Sequence, residues 1–173
     1  MAVFVNCIRV AGDALDDAVR SYMKRQYSFL IGEATAESVK KNLGYAGLPD
    51  KSNIPSESEA KRSEVSGRDL VSGLPRKVSV SENEIMEAIT EPLYQVVDAV
   101  KESLEKTPPE LASDIAEKGI TLTGGGALIR DLDKLIAQST NLDVRVAESP
   151  LTCVVRGTAV ALEELETLAR IGN

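Results

Sequence analysis

Apolar residues recur along this chain at two spacings, and the change from one to the other marks where strands give way to helices. Residues 3–10, VFVNCIRV, carry Val3, Val5, Ile8 and Val10 and predict a strand. From about 14 to 29 the spacing is helical, with Leu15, Ala18, Val19, Tyr22 and Met23 on one face and Asp17, Arg20 and Lys24 on the other. Asp13 is the expected N-cap of that helix. A second helix is expected over 34–43, stopped by Gly44. Residues 45–63 lose the pattern in favour of Gly, Pro, Ser and charge, and predict a mobile surface loop over about 46–63.

Short strands are then expected near 64–66 and 76–80. Ser81 and Glu84 form a capping-box pattern that opens a long helix. Its core stripe is Ile85, Ile89, Leu93, Val96, Val97, Val100 and Leu104, with Pro92 set to bend or divide it. Beyond Pro108 and Pro109 come a short helix near 110–116, a strand at 120–123, a glycine turn and a helix over 131–139. A strand at 143–147 and a last helix over 151–170, burying Val154, Ala161, Leu165 and Leu168, complete the chain. This alternation predicts an α/β fold.

Composition narrows the chemistry. Lys and Arg total 20 against 27 Asp and Glu, a formal net charge of −7 with no basic block, which argues against a nucleic-acid surface. Histidine is absent, so no Ser–His–Asp triad, Cys–His dyad or His-ligated metal can be built from this sequence. Cys7 and Cys153 are far apart and read as small buried apolar residues. The opening residues turn polar at once, and no apolar run approaches the roughly 20 residues of a membrane span. A cytoplasmic protein is expected.

Three stretches carry candidate chemistry. In 119–135, GITLTGGGALIRDLDKL, a short strand meets three glycines and a helix follows. Backbone amides unobstructed by Cβ atoms, backed by a helix N-terminus, suit a nucleotide. A ligand-free β–α turn has the same pattern. Glu37 and Lys40, three residues apart, share a helix face. Alone they read first as an exposed surface pair. Gly12 and Asp13 form a third turn, where Asp13 also serves as a plain cap.

Read together, RVAGDALD (9–16), GEATAESVKKNLG (32–44), SGRDLVSGLPR (66–76), NEIMEAITEPL (83–93), PPELASDIAEKGITLTGGGAL (108–128) and AESPLTCVVRG (147–157) resemble the C-terminal half of the MreB family. These are bacterial actin-like cell-shape proteins, kin to actin, the heat-shock chaperone ATPases and sugar kinases. The resemblance covers the chain except for about 46–63. It implies one half of an actin-like (ribonuclease H-like) ATPase fold. Residues 1–30 and 81–173 would form the core subdomain, and 31–80 a small inserted α+β subdomain. It further implies that Gly125, Gly126, Ala127 and Leu128 pass beside adenosine and the α-phosphate. Glu37 would take the ribose and Lys40 would lie along the base, with Ser38 and Val39 completing that stretch. Gly12 and Asp13 would face the phosphate side, although Ala11 stands where the family carries glycine.

The family's two phosphate loops and its water-orienting residues match nothing in this sequence, so no catalytic residue is assigned. The expected function is that of a filament-forming cytoskeletal protein that directs cell-wall synthesis and maintains shape. ATP, with Mg²⁺ in a complete cleft, would be its ligand. Its partners would be like protomers, cell-wall synthesis proteins and, only indirectly, the inner face of the membrane. The alternative is a module that has lost nucleotide chemistry and binds or caps filaments.

Overall fold

The computed structural model describes residues 4–164. Its elements in chain order are α1 (Gly12–Tyr27), β1 (Phe29–Leu30), α2 (Glu33–Leu43), β2 (Arg62–Asp69), β3 (Pro75–Ser81) and α3 (Glu82–Glu105). A 3₁₀ turn (Pro109–Leu111), α4 (Ala112–Lys118), β4 (Ile120–Leu122), a second 3₁₀ turn (Gly125–Leu128), α5 (Leu132–Thr140), β5 (Val144–Val146) and α6 (Cys153–Glu163) follow. The strands form two sheets: antiparallel β1-β2-β3, and a parallel pair β4-β5 that needs α5 as its crossover.

Antiparallel α1 and α3 are the frame. Tyr27 and Tyr22 of α1 donate their hydroxyl protons to Glu84 and Glu87 near the start of α3, while Asn6 reaches Ser103 near its end. Burial and the Glu84 carboxylate push the Tyr27 hydroxyl up to about 12. Between these ends, Val19 and Met23 of α1 meet Ile85, Ile89, Leu93 and Val97 of α3, together with Ala36, Val39 and Leu43 of α2. The capping box at Ser81 and Glu84 forms as the sequence predicts, and it fixes where β3 ends and α3 begins. Pro92 sits inside α3, which runs as one helix of 24 residues.

Several expectations fail for identifiable reasons. Residues 4–10 form no strand; Phe4, Val5 and Ile8 are exposed, because no described strand pairs with them. Helix α1 begins earlier than expected, so Ala11 is its cap and Asp13 lies in the first turn, where a carboxylate still suits the helix dipole. The polar stretch before β2 is tied down: Asn53 donates to Ala46 O and to Asp131, and Asn83 donates to Pro55 O. Polar residues hold most of it and only Ala46 and Leu48 enter the core, so hydrophobic spacing gave no sign of it. Cys7 is exposed and Cys153 half-buried. In α6, Val154 is exposed and Ala161 half-buried. Leu165 and Leu168 lie outside the described residues.

Candidate functional site

A cavity of about 800 Å³ opens between α1, α2, α3 and the glycine turn. That is within the size range of small-molecule sites. Its floor is apolar, made by Leu93, Val96 and Val100 of α3, Leu122 of β4, and Leu132 and Ile136 of α5. Three of these belong to the stripe that sequence periodicity assigns to the core. The stripe is wide enough to serve both the packed interior and the cavity.

The glycine turn forms one wall. Gly124 has φ +83°, a left-handed conformation that L side chains rarely adopt, and its amide donates to Pro150 O. Gly125 and Gly126 then open a one-turn 3₁₀ helix, where helical geometry supplies their amides with no carbonyl partner. A Cβ on Gly126 would meet nothing within 4 Å, so the backbone there faces open space. The helix expected over 131–139 is α5, and it is set off from the glycines by an extended link. Ile129 is extended, Arg130 bridges to Tyr45, and α5 starts only at Leu132. The donors at this wall are therefore local amides, without a long helix dipole behind them.

The opposite wall is built on a buried charge. Lys40 Nζ lies 2.8 Å from Asp16 Oδ1, with both side chains only 9% exposed, and donates to Gly12 O at 3.1 Å. Asp16 Oδ1 meets the ammonium as an ion pair without a directed hydrogen bond. Lys40 thus staples α2 to the first turn of α1 and shapes the cavity edge. Glu37 pairs instead with Lys41, one helical turn on, at 2.7 Å. Hydrogen bonding to Lys41 holds the Glu37 carboxyl below its ordinary range, so it remains an anion.

Of the residues singled out in the sequence, Gly12, Asp13, Glu37, Lys40, Gly125, Gly126, Ala127 and Leu128 all line this one cavity. Ser38 and Val39 do not. Val39 is buried in the core, and Ser38 is exposed on the outer face, accepting from Asn42. This follows from helical geometry: one and two residues beyond Glu37 the chain has turned off its face, to which Lys40 and Lys41 return. The sequence reading missed Asp16 and Lys41. Asp16 carried a usable signal: it sits on the apolar stripe with Val19 and Met23, and a carboxylate there calls for a buried cation.

The mixed helix-and-strand architecture defines the class: this is an actin-like fold. MreB5 of Spiroplasma citri bound to AMPPNP superposes with a TM-score of 0.82 at 37% identity, covering 96% of this chain and 47% of that one. A MamK filament gives 0.66 at 18% identity over 91% of this chain and 45% of that one, a likeness of fold alone.

The sequence specifies the family within that class. Residues 1–170 match the model of the MreB/Mbl protein family, and the chain belongs to it. The cell shape-determining protein MreB of Escherichia coli K12 is 48% identical over 164 residues, 95% of this chain and 45% of its own length. Mbl of Bacillus subtilis is 43% identical over 165 residues, covering 94% and 46% respectively. The chain spans about half the length of the curated relatives it matches.

Proposed function

We propose that this chain supplies the adenosine side of a nucleotide cleft in an MreB-type protomer. Such protomers would form membrane-associated filaments that direct cell-wall synthesis and maintain cell shape. The observation that carries the reading is the single cavity. Stretches as distant as 10–16, 37–44 and 122–129 converge on it, with an anionic carboxylate at one edge and a bare glycine backbone at the other. The similar MreB5 structures bound to AMPPNP and to ADP support a nucleotide there. In this reading residues 1–30 and 81–173 form the core subdomain and 31–80 the inserted one.

The residues suit adenosine better than triphosphate. An apolar floor accepts a base, Glu37 can accept from ribose hydroxyls, and the Gly125 and Gly126 amides can donate to the first phosphate. Lys40, the one buried cation among the described residues, is already engaged by Asp16 and Gly12 O. ATP would bring Mg²⁺ on its own phosphates, with further ligands from the rest of a full-length protomer.

Titration calorimetry with Mg-ATP tests this. Saturable binding is expected. Glu37→Ala should weaken it roughly tenfold through loss of a charged hydrogen bond, and Gly126→Val should block it by filling the open space. No heat at millimolar nucleotide would favour the second reading, a nucleotide-free module that joins or caps filaments. The engagement of Lys40 by Asp16 is the observation on that side.

A further inference from the structure

We infer that Arg130 is a positioning residue of the cavity. It clasps the glycine wall to the α2 wall at their common end and so sets the span that a ligand must bridge. The inference rests on the reading of the cavity as a nucleotide cleft and names the side chain that holds its walls in register.

The two walls are distant in sequence and carry the groups for the ligand separately, Glu37 on α2 and the Gly125 and Gly126 amides on the turn. A ligand that touches both feels any change in their spacing. The Lys40 staple ties α2 to α1, which leaves the glycine wall to be tied elsewhere. That tie lies where each wall ends. Gly44 and Ile129 both line the cavity, and the residues that follow them, Tyr45 and Arg130, pair in an isolated parallel bridge outside either sheet. Ala46 N donates to Arg130 O at 2.8 Å.

A single backbone bridge is a weak joint, and side chains reinforce this one. The Arg130 guanidinium lies 4.7 Å from the centre of the Tyr45 ring. Tyr45 is itself fixed. It is the largest wholly buried side chain among the described residues, and its hydroxyl donates to Asn83 Oδ1 at 2.9 Å. Glu82 Oε2 holds Arg130 Nη2 at 2.6 Å. Asp131, the next residue, takes φ +63°, accepts from Asn53 and pairs with Lys134, so the chain leaves Arg130 in a set direction. Arg130 thus belongs to the glycine side, while Tyr45 and Glu82 stand at the end of α2 and the start of α3.

A plain structural brace would make the same contacts, and exposure separates the two roles. The Arg130 side chain is 44% exposed, and an ion pair with such a partner adds little to global stability. A binding group displaced by about 1 Å, by contrast, loses much of its effect. Loss of the clasp should therefore be felt more at the cavity than in the fold.

Amide exchange followed by NMR tests the clasp on the free chain. Arg130→Met keeps the apolar stem and removes the guanidinium. The hydrogen-bonded amides of Gly44 and Ala46 on one wall, and of Ala127 and Ile129 on the other, should exchange about tenfold faster, while Ile89 and Val97 in α3 keep their wild-type rates. Unchanged rates at the walls, or an equal rise in α3, would overturn the inference. Calorimetry with Mg-ATP then measures positioning. Arg130→Met should weaken binding roughly tenfold, and Arg130→Lys, which keeps the charge without the planar stack, roughly threefold. In a Glu37→Ala background the effect of Arg130→Met should shrink to about twofold, because the span loses one of its ends. Additive losses, or full affinity in Arg130→Met, would overturn the inference. With no heat from the wild type, faster exchange at the two walls would still uphold the clasp while the nucleotide reading fell. Wild-type heats with unmoved exchange would do the reverse, so the two can fail separately.

Discussion

Helices α3 and α6 invite comparison because the more apolar of the two is the less buried. Helix α6, CVVRGTAVALE, is rich in valine and alanine, yet Val154, Val155, Val160 and Leu162 are all exposed and none of its residues is buried. Helix α3 carries more charge, yet Ile85, Ile89 and Val97 are wholly buried and Leu93 nearly so. The difference lies in the neighbours. Packing by α1, α2, α5 and β3 covers α3, whereas α6 follows the two-stranded sheet with little against it among the described residues. Apolar spacing says which face of a helix wants cover, and the rest of the fold decides whether cover arrives. The large apolar surface left on α6 is the kind that marks an interaction face.

The largest effect should come from the charged pair inside the covered region. Lys40→Met would leave the Asp16 carboxylate buried and unpaired, at a cost of about 3–5 kcal/mol. Urea unfolding followed by circular dichroism measures it. Adding Asp16→Leu should restore much of the loss, since no buried charge then remains. A loss under about 1 kcal/mol would show that water reaches the pair and that the covered region is less dry than its packing implies.

The helices themselves come next. Ile89→Ala should cost about 2–5 kcal/mol, because a wholly buried side chain leaves a cavity in the core. Val155→Ala should stay within about 0.5 kcal/mol, because that side chain is 71% exposed. Comparable losses in the two variants would mean that α6 is covered in solution, by another copy or another polypeptide, and the contrast between the helices would collapse.

How much of this was legible in the sequence depends on the kind of contact. The stripe Ile85, Ile89, Leu93 and Val97, the capping box at Ser81 and the strand–glycine–helix order around Gly124 all follow from local rules, and all are present. Residues 4–10 have a strand's composition, but a strand exists only with a partner, which local sequence does not reveal. The cavity was half legible. Glycines and a Glu/Lys pair stand out as residue types, whereas the partner of Lys40 depends on how α1 and α2 pack. Helical spacing sets Asp16 on the apolar stripe and Asp17 on the polar face, but only the fold supplies Lys40 as the buried partner of one, while the other lies beside Arg20 in solvent.

The smallest effect should come from the edge of the covered region, where Glu82 at the start of α3 holds Arg130, which leads into α5. Arg130 Nη2 lies 2.6 Å from Glu82 Oε2 and its guanidinium stacks over Tyr45, while Glu82 Oε1 accepts from Lys61 N. Burial pushes the Glu82 carboxyl up, but Arg130 and the Lys61 amide outweigh it and hold the group below its ordinary value of 4.5. A depressed carboxylate stabilises the fold above that value, and the contribution is lost as pH falls through the lower, folded-state value. Glu82→Gln keeps an acceptor for Lys61 but has no charge at any pH. Arg130 is partly exposed and screened, so the variant should be less stable than the wild type by about 1–2 kcal/mol at pH 7. Denaturant unfolding at intervals from pH 7 to 3 should show that gap narrow below 4.5, as the wild type loses what the variant never had. A gap that stays constant over this range would mean that Glu82 acts through its shape and hydrogen bond to Lys61. Packing, and not charge, would then hold the segment leading into α5 against the start of α3.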